Sequence, residues 1–144
     1  MSSAPIAAAH ARVIALARRV LIVEAEAVQT LAERLDETFT QAVDMILASK
    51  GRVIVSGIGK TGHIGRKFAA TLASTGTPAY FVHAAEAAHG DLGMITADDV
   101  LVAISYSGSS EELLKIVPLV KRQGARLIAL TGNPDSPLAR EADV

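Results

Sequence analysis

The chain has 144 residues, the size of a single domain, and half of them are apolar. With three Phe, two Tyr and no Trp, its core must be built mainly from aliphatic side chains. A net charge of −1 excludes a basic field for nucleic acid or for an anionic membrane. The absence of cysteine excludes disulfides, thiolate catalysis and cysteine-based zinc sites, and it fits a cytoplasmic location.

The first 50 residues contain neither a membrane span nor a signal peptide by pattern, because Arg18 and Arg19 interrupt the one apolar stretch. Residues 6–50 lack Gly and Pro and predict two helices. The first carries a seam of apolar residues seven apart: Ile14, Leu21, Val28 and Leu35. Asp36 is the predicted N-cap of the second helix, whose repeating apolar residues are Phe39, Val43, Ile46 and Leu47. We expect residues 1–50 to pack on the following domain or on another subunit.

Residues 51–144 change in character, because short apolar runs alternate with helical patterns. The runs at 52–55, 79–82, 100–104 and 126–130 predict four strands. Such alternation is typical of an α/β fold with a parallel sheet covered by helices on both faces. The chain ends where the next strand of this pattern would begin, so the sequence predicts an incomplete domain.

Three strands end in segments rich in glycine and hydroxyl side chains, at residues 56–62, 105–110 and 131–133. Ligands of open parallel sheets bind beyond the carboxyl ends of the strands. Glycine lets the backbone approach an anion, and hydroxyls and free helix N–H groups donate hydrogen bonds to it. One such loop is an ordinary turn, but three at one sheet edge predict a phosphate site.

Two other phosphate motifs fit poorly. The glycines at 57, 59 and 62 have the spacing of the dinucleotide fingerprint, but Val82 and His83 stand where that fold has an acidic residue. The run Gly59-Lys60-Thr61 resembles the end of a P-loop, but the first glycine of that motif would fall at Ile54.

Four motifs resemble the arabinose 5-phosphate isomerases, which are members of the sugar isomerase (SIS) family. They are residues 56–67 (SGIGKTGHIGRK), 73–78 (ASTGTP), 86–94 (EAAHGDLGM) and the Ser-x-Ser-Gly element at 105–108. The resemblance implies a three-layer fold with a five-stranded parallel sheet, of which four strands are recognisable here, and a homotetramer. It implies interconversion of D-ribulose 5-phosphate and D-arabinose 5-phosphate for Kdo and lipopolysaccharide synthesis. It also implies that the CBS domains and the last part of the SIS domain, with further site residues, are missing from this sequence.

The same resemblance implies roles for individual residues. Lys60, Glu112 and His89 are the predicted catalytic residues, with Glu111 as a weaker alternative to Glu112; an acid in the first turn of a helix is also favoured by the helix dipole alone. Predicted substrate contacts are Ser56, Gly76, Thr77, His83, His89, Ser105, Ser107 and Ser110. No cofactor is required, and His83 is expected to take up an inhibitory zinc ion.

Two rival functions stay open at this point. One is another phosphosugar isomerase of the same family, acting on a hexulose or sedoheptulose phosphate. The other is a sugar-phosphate sensor without catalysis. A regulator of that kind would usually add a DNA-binding domain, and residues 1–50 carry no basic recognition face.

Overall fold

The computed structural model describes residues 4–87 and 90–144, without the side chains of Ala4, Pro5 and Asp91. The chain divides into two compact units, residues 1–39 and 40–144. The boundary at residue 50 drawn from the sequence stays a prediction. Among the described residues, no helix is both long and apolar enough to cross a membrane.

The first unit consists mainly of helix α1, Ala4–Glu33. The seam residues Ile14, Leu21 and Val28 are each more than half exposed within this chain. Asp36 precedes the next helix and caps it, as predicted. Its Oδ1 accepts hydrogen bonds from the backbone N–H of Thr38 (2.9 Å) and from the Thr38 hydroxyl (2.6 Å). The side-chain cap therefore sets where the second helix starts.

Helix α2, Glu37–Ala48, crosses the division between the units. In the second unit it packs on the sheet through Ala42, Met45 and Ile46. Of the repeating apolar residues in this unit, Ile46 packs in this layer, whereas Val43 and Leu47 are exposed within this chain. The helix is apolar on more than one side, and periodicity alone cannot say which side meets the sheet.

The remaining elements alternate as expected. In chain order they are β1 Val53–Gly57, α3 Lys60–Ser74, β2 Ala79–Phe81, α4 Ala84–Ala87, a 3₁₀ turn Asp91–Met94, β3 Val100–Ile104, α5 Glu111–Arg122, β4 Arg126–Leu130 and α6 Pro137–Glu141. The four strands are all parallel in the order β2-β1-β3-β4, which confirms the predicted α/β fold.

Two apolar layers enclose the sheet. On one face α2 and α3 cover Val53, Val55, Val100 and Val102. On the other face α4, α5 and α6 cover the alternate residues of the same strands, including Ile54 and Leu101. Strands β1 and β3 are buried at every position, which explains why they read as continuous apolar runs.

The last residues lie along the outer edge of β4. The backbone N–H of Ala129 donates to the carbonyl of Val144 (2.9 Å), and the N–H of Asp143 donates to the carbonyl of Leu127 (2.9 Å). The carboxylate of Asp143 also accepts from the Leu127 N–H (2.7 Å). Residues 143–144 thus bond to β4 without forming a strand of their own, and the fifth strand stays a prediction.

Candidate functional site

The strand order creates a crevice at the carboxyl edge of the sheet, between β1 and β3. From β1 the chain crosses through α3 to β2 on one side, and from β3 it crosses through α5 to β4 on the other. The loops after β1 and β3 therefore separate, and ligands of such sheets bind where they do so. Gly57 pairs with Ile104, and Ile104 with Leu130, so the three predicted loops leave the sheet at one level.

The loop after β1 is a tight turn into α3. The hydroxyl of Thr61 accepts from the N–H of Ile58 (3.1 Å) and donates to the carbonyl of the same residue (3.0 Å). A side chain at Gly57 would meet the backbone of Thr61 at 2.9 Å, so glycine is needed for this close approach. Lys60 is the first residue of α3 and is exposed; among the described residues its ammonium group has no hydrogen-bond partner.

The loop after β3 is built from serines. The Ser105 hydroxyl is buried and accepts from the N–H of Gly108 (3.1 Å). The Ser107 hydroxyl accepts from both the N–H (3.3 Å) and the hydroxyl (3.0 Å) of Ser109, and it lies at the surface. Ser105 thus shapes the loop, whereas Ser107 is accessible to a ligand.

Glu112 lies in the first turn of α5 beside Ser110. The Ser110 hydroxyl donates to Oε2 of Glu112 (3.0 Å) and makes no cap bond to the helix backbone. The pKa of Glu112 lies below its ordinary value, chiefly because its own backbone N–H donates to the carboxylate. The Ser110 hydroxyl and the charges of Lys115 and His83 lower that pKa further. Glu112 is therefore ionised at neutral pH, as a general base must be.

His83 lies two residues after the end of β2 and is half-buried. Its Nδ1 accepts a hydrogen bond from the backbone N–H of Ala85 (3.3 Å). The ring also meets Phe81 edge to face, with centroids 6.4 Å apart. His83 thus has a fixed setting at the carboxyl end of its strand.

A cavity of ≈ 360 Å³ lies between the loops after β1 and β3. Its volume is within the range of small-molecule sites. Its lining combines serine and threonine residues with apolar side chains: Ile58, Thr61, Ile104, Ser105, Tyr106, Ser107, Ser110 and Leu113.

The structure brings together most of the predicted site residues, but not all of them. Lys60, His83, Ser105, Ser107, Ser110 and Glu112 all follow the carboxyl ends of strands. Ser56 lies within β1 and is fully buried, and its hydroxyl has no hydrogen-bond partner among the described residues. His89 lies outside the described residues.

Gly76 and Thr77 do not join this group within the chain. They lie between α3 and β2, before the strand begins, and so at the opposite edge of the sheet. Pro78 follows Thr77, and its carbonyl accepts from the N–H of Val53 at the start of β1 (2.8 Å). Alternation of strands and helices already implies this placement, since a loop that enters a parallel strand lies at its amino end.

The residues described here offer limited support for a metal. They contain no group of three His, Asp or Glu side chains that could hold an ion. Because Nδ1 of His83 is already an acceptor, only Nε2 of that ring is open to zinc. The predicted zinc site at His83 stays a prediction.

The family profile of the SIS domain matches residues 46–144. This chain belongs to the SIS domain family. It is 56% identical over 128 residues to arabinose 5-phosphate isomerase KdsD of Pseudomonas aeruginosa, covering 89% of this chain and 39% of that protein. It is 55% identical over 125 residues to arabinose 5-phosphate isomerase GutQ of Salmonella typhi, with 87% and 39% covered.

Among solved structures, a protein of Escherichia coli CFT073 in complex with A5P matches with a TM-score of 0.88 and 41% identity. The match covers 92% of this chain and 70% of that one. The SIS domain described here therefore has a fold closely similar to that of the E. coli protein. The chain spans 39% of the length of the curated relatives it matches.

Sequence reasoning missed the residues that brace the serine loop of the SIS domain. The carbonyl of Tyr106 accepts from the N–H of Gly132 (3.0 Å) and from the Thr131 hydroxyl (3.3 Å). The carbonyl of Gly108 accepts from the N–H of Leu138 (3.0 Å). Residues 131–133 were predicted to bind ligand, and these bonds show that the loop after β4 also holds the loop after β3.

Proposed function

We propose that this chain forms the SIS domain of an aldose–ketose isomerase that interconverts D-ribulose 5-phosphate and D-arabinose 5-phosphate. The observation that carries the proposal is the cavity between the β1 and β3 loops, with Lys60 and Glu112 at the starts of the two helices that leave those loops. The relatives named arabinose 5-phosphate isomerase and the structural neighbour in complex with A5P support the choice of sugar.

The phosphate is held by the serine loop in this proposal. Ser107 and Ser110 line the cavity next to the N-terminus of α5, where backbone N–H groups and the helix dipole favour an anion. The Ser107 O–H is the proposed side-chain donor to the phosphate, because the O–H of Ser110 donates to Glu112. The Ser105 hydroxyl shapes the loop by accepting from the N–H of Gly108, and this bond leaves its O–H able to donate at the cavity. Ser56, whose side chain is fully buried in β1, supports the site from within the sheet.

The reaction moves one carbon-bound proton between C1 and C2 and one hydroxyl proton between the two oxygens on those carbons, and it needs no redox cofactor. Glu112 removes the proton from the carbon next to the carbonyl and returns it to the neighbouring carbon of the enediolate. Lys60 stabilises the negative charge that develops on the oxygens. His89 is proposed to assist ring opening, and Gly76 and Thr77 are proposed to contact sugar only if another subunit supplies them.

The biological setting belongs to the same proposal. The product would feed Kdo and lipopolysaccharide synthesis in the cytoplasm. Association into a homotetramer is supported by the exposed apolar seam: Ile14, Leu21 and Val28 of α1, and Leu35 beyond the end of that helix, are each more than half exposed on this chain. Light scattering of the purified chain gives its mass directly: a tetramer supports this assembly, and a monomer at micromolar concentration contradicts it.

A sugar-phosphate sensor is the second candidate, because the hydroxyl-lined cavity alone suffices for binding. The two functions differ in what Glu112 does. Its neighbour Glu111 is also exposed and in the first turn of α5, so the two acids form a matched pair.

The test is a panel of ribulose 5-phosphate, a hexulose 6-phosphate and sedoheptulose 7-phosphate with the wild type, Glu112→Gln and Glu111→Gln. The proposal expects turnover of ribulose 5-phosphate that falls by about 10²–10⁴-fold in Glu112→Gln, the usual contribution of a general base. Glu111→Gln should retain it. Binding without turnover in the wild type would favour the sensor, and preference for a longer ketose would favour another isomerase.

A further inference from the structure

Tyr106 has the most exposed large apolar side chain among the residues that the structure describes, at 84%. A single exposed apolar residue is ordinary on a protein surface. This one, however, lines the cavity between the loops after β1 and β3. Its phenol hydroxyl makes no hydrogen bond to a described residue. Both the ring and its hydroxyl are therefore open to a ligand.

The backbone, and not this side chain, holds the serine loop. The carbonyl of Tyr106 accepts from the N–H of Gly132 (3.0 Å) and from the hydroxyl of Thr131 (3.3 Å). The N–H of Gly108 closes the following turn by donating to the carbonyl (3.1 Å) and the hydroxyl (3.1 Å) of Ser105. None of these bonds involves the phenol ring, so the shape of the loop does not require an aromatic side chain at position 106.

Gly132 leaves room for the ring. A Cβ built on Gly132 would lie 2.7 Å from Cε2, 2.9 Å from Cδ2 and 3.2 Å from Cζ of Tyr106, and these are the three atoms nearest to it. The φ of Gly132 lies outside the left-handed region, so its φ is open to residues with a side chain. A side chain at position 132 would therefore displace the tyrosine ring.

The cavity offers two kinds of surface to a sugar phosphate. Ser107 and the N–H groups at the start of α5 suit the phosphate. The carbon chain of an open-chain sugar carries C–H groups and hydroxyls side by side. A tyrosine matches both, because its ring is apolar and its tip forms hydrogen bonds. Tyr106 is the one aromatic among the described residues that line the cavity.

We propose that Tyr106 is a sugar-contacting residue, whose ring packs on the carbon chain of the bound sugar phosphate while the serine loop holds the phosphate. Gly132 is its positioning residue, because the missing side chain leaves the ring its place. No covalent bond forms or breaks in this role. The inference rests on the proposed function for the identity of the ligand, but the position of the ring beside Gly132 does not depend on it.

The position of the ring is measured first, by nuclear Overhauser effects in the ¹³C,¹⁵N-labelled wild type. Cross-peaks between the α protons of Gly132 and the ring protons of Tyr106 are expected, because Cδ2 and Cε2 of the ring lie beside Gly132. Their absence would overturn the inference.

The contact with sugar is tested by ³¹P NMR titration with two probes. One is inorganic phosphate, and the other is arabinitol 5-phosphate, an open-chain sugar phosphate that cannot isomerise. In Tyr106→Ala the affinity for arabinitol 5-phosphate should fall by about three- to tenfold, as expected for one aromatic contact, while the affinity for inorganic phosphate stays unchanged. Equal losses for both probes, or no loss for either, would overturn the sugar contact.

The positioning role is tested in the same titration by a double-mutant cycle. Gly132→Ala should weaken binding of arabinitol 5-phosphate in the wild-type background but not in Tyr106→Ala, where no ring remains to be displaced. A loss in both backgrounds would overturn the positioning role, since Gly132 would then act without the ring. A wild type that turns over ribulose 5-phosphate, with binding unaffected by Tyr106→Ala, would overturn this inference alone. A wild type that binds neither probe would overturn the proposed function with it.

Discussion

The hydroxyl of Ser110 lies 3.0 Å from Oε2 of Glu112 and donates a hydrogen bond to it. Ser110 is the N-cap residue of α5, with extended backbone angles, yet its side chain makes no bond to the helix backbone. A serine at this position usually accepts from an N–H of the first turn. Here the residue serves the carboxylate instead, so its contribution is to the site more than to the helix.

Replacing Ser110 separates these two contributions. In Ser110→Ala the pKa of Glu112 should rise toward its ordinary value, because one of the donors that lower it is lost. Since no cap bond is broken, the free energy of unfolding should fall by less than the roughly 0.5–2 kcal/mol of a lost cap. Carbon-detected NMR titration of the glutamates and urea unfolding measure the two effects. A large stability loss with an unchanged Glu112 pKa would mean that Ser110 is an ordinary cap.

Lys60 should be essential to turnover, because it begins α3 next to Thr61 of the cavity and its ammonium group has no hydrogen-bond partner among the described residues. Lys60→Ala should reduce kcat/KM for ribulose 5-phosphate by at least about 10²-fold, as expected for loss of a group that stabilises an oxyanion. Lys67→Ala is the matched control, since this lysine is also exposed on α3 but bonds only to Thr71. Similar rates for Lys60→Ala and the wild type would remove Lys60 from the mechanism.

Gly108 is fixed by two independent constraints. Its φ of 63° strains any residue with a side chain, and a Cβ would lie 2.0 Å from the hydroxyl oxygen of Ser136. Gly76→Ala is the control for strain alone, because Gly76 has a φ of 99° and a Cβ added there would meet no atom within 4 Å. Gly76→Ala should cost about 1–2 kcal/mol, the penalty of a left-handed residue, and Gly108→Ala clearly more.

The clash can be tested by a double-mutant cycle between Gly108 and Ser136. Ser136→Gly alone loses the N-cap bond to Ala139, but because glycine is itself a favoured N-cap residue it should cost only a few tenths of a kcal/mol. Combined with Gly108→Ala, it should restore part of the lost stability, because neighbouring residues that share a contact are not additive. Strict additivity in urea unfolding would show that strain, and not contact with Ser136, limits position 108.

Asp99 fastens the amino ends of β1 and β3 and should matter for stability only. It is buried, and it accepts from the N–H groups of Arg52 (2.7 Å) and Thr96 (2.8 Å). Asp99→Ala leaves both donors without this partner and should cost about 2–6 kcal/mol, from about 1–3 kcal/mol for each of the two unsatisfied groups. Asp98→Ala is the control: it removes the same charge from the adjacent, exposed residue. Equal effects on unfolding would contradict the role of the Asp99 carboxylate.

The same carboxylate gives a pH dependence with a definite sign. Burial raises the pKa of Asp99, but the hydrogen bonds from Thr96 and Arg52 outweigh it and hold that pKa below the ordinary value. A lowered pKa stabilises the fold above the unfolded value of about 3.9, and this stabilisation is lost as pH falls through the lower, folded value. The stability difference between the wild type and Asp99→Ala should therefore shrink below about pH 4. A difference that grows with acid would contradict it.

The strands were the part of the fold most readable from sequence. The runs 100–104 and 126–130 are strands with those bounds, because buried parallel strands are continuous apolar runs between turns. The sequence could place the site at the carboxyl edge of the sheet, because Lys60 and Ser107 follow the ends of two parallel strands. The bond between Gly108 and Leu138, thirty residues apart, depends on packing that no local pattern contains.

The face of α2 illustrates the same limit. Val43 and Leu47 share the helical spacing of Ile46 and are exposed within this chain, while the smaller Ala42 packs on the sheet. Propensity and period give a helix, and only the shape of the neighbouring layer decides its rotation.

The most direct test of the isomerase mechanism is NMR of the purified chain with ribulose 5-phosphate in D₂O. The proposed enediolate mechanism expects arabinose 5-phosphate to appear with deuterium at C2, because the proton held by Glu112 exchanges with solvent before it returns to carbon. Recovery of unlabelled ribulose 5-phosphate, with neither product nor exchange at C1, would contradict the claim that this chain is an isomerase.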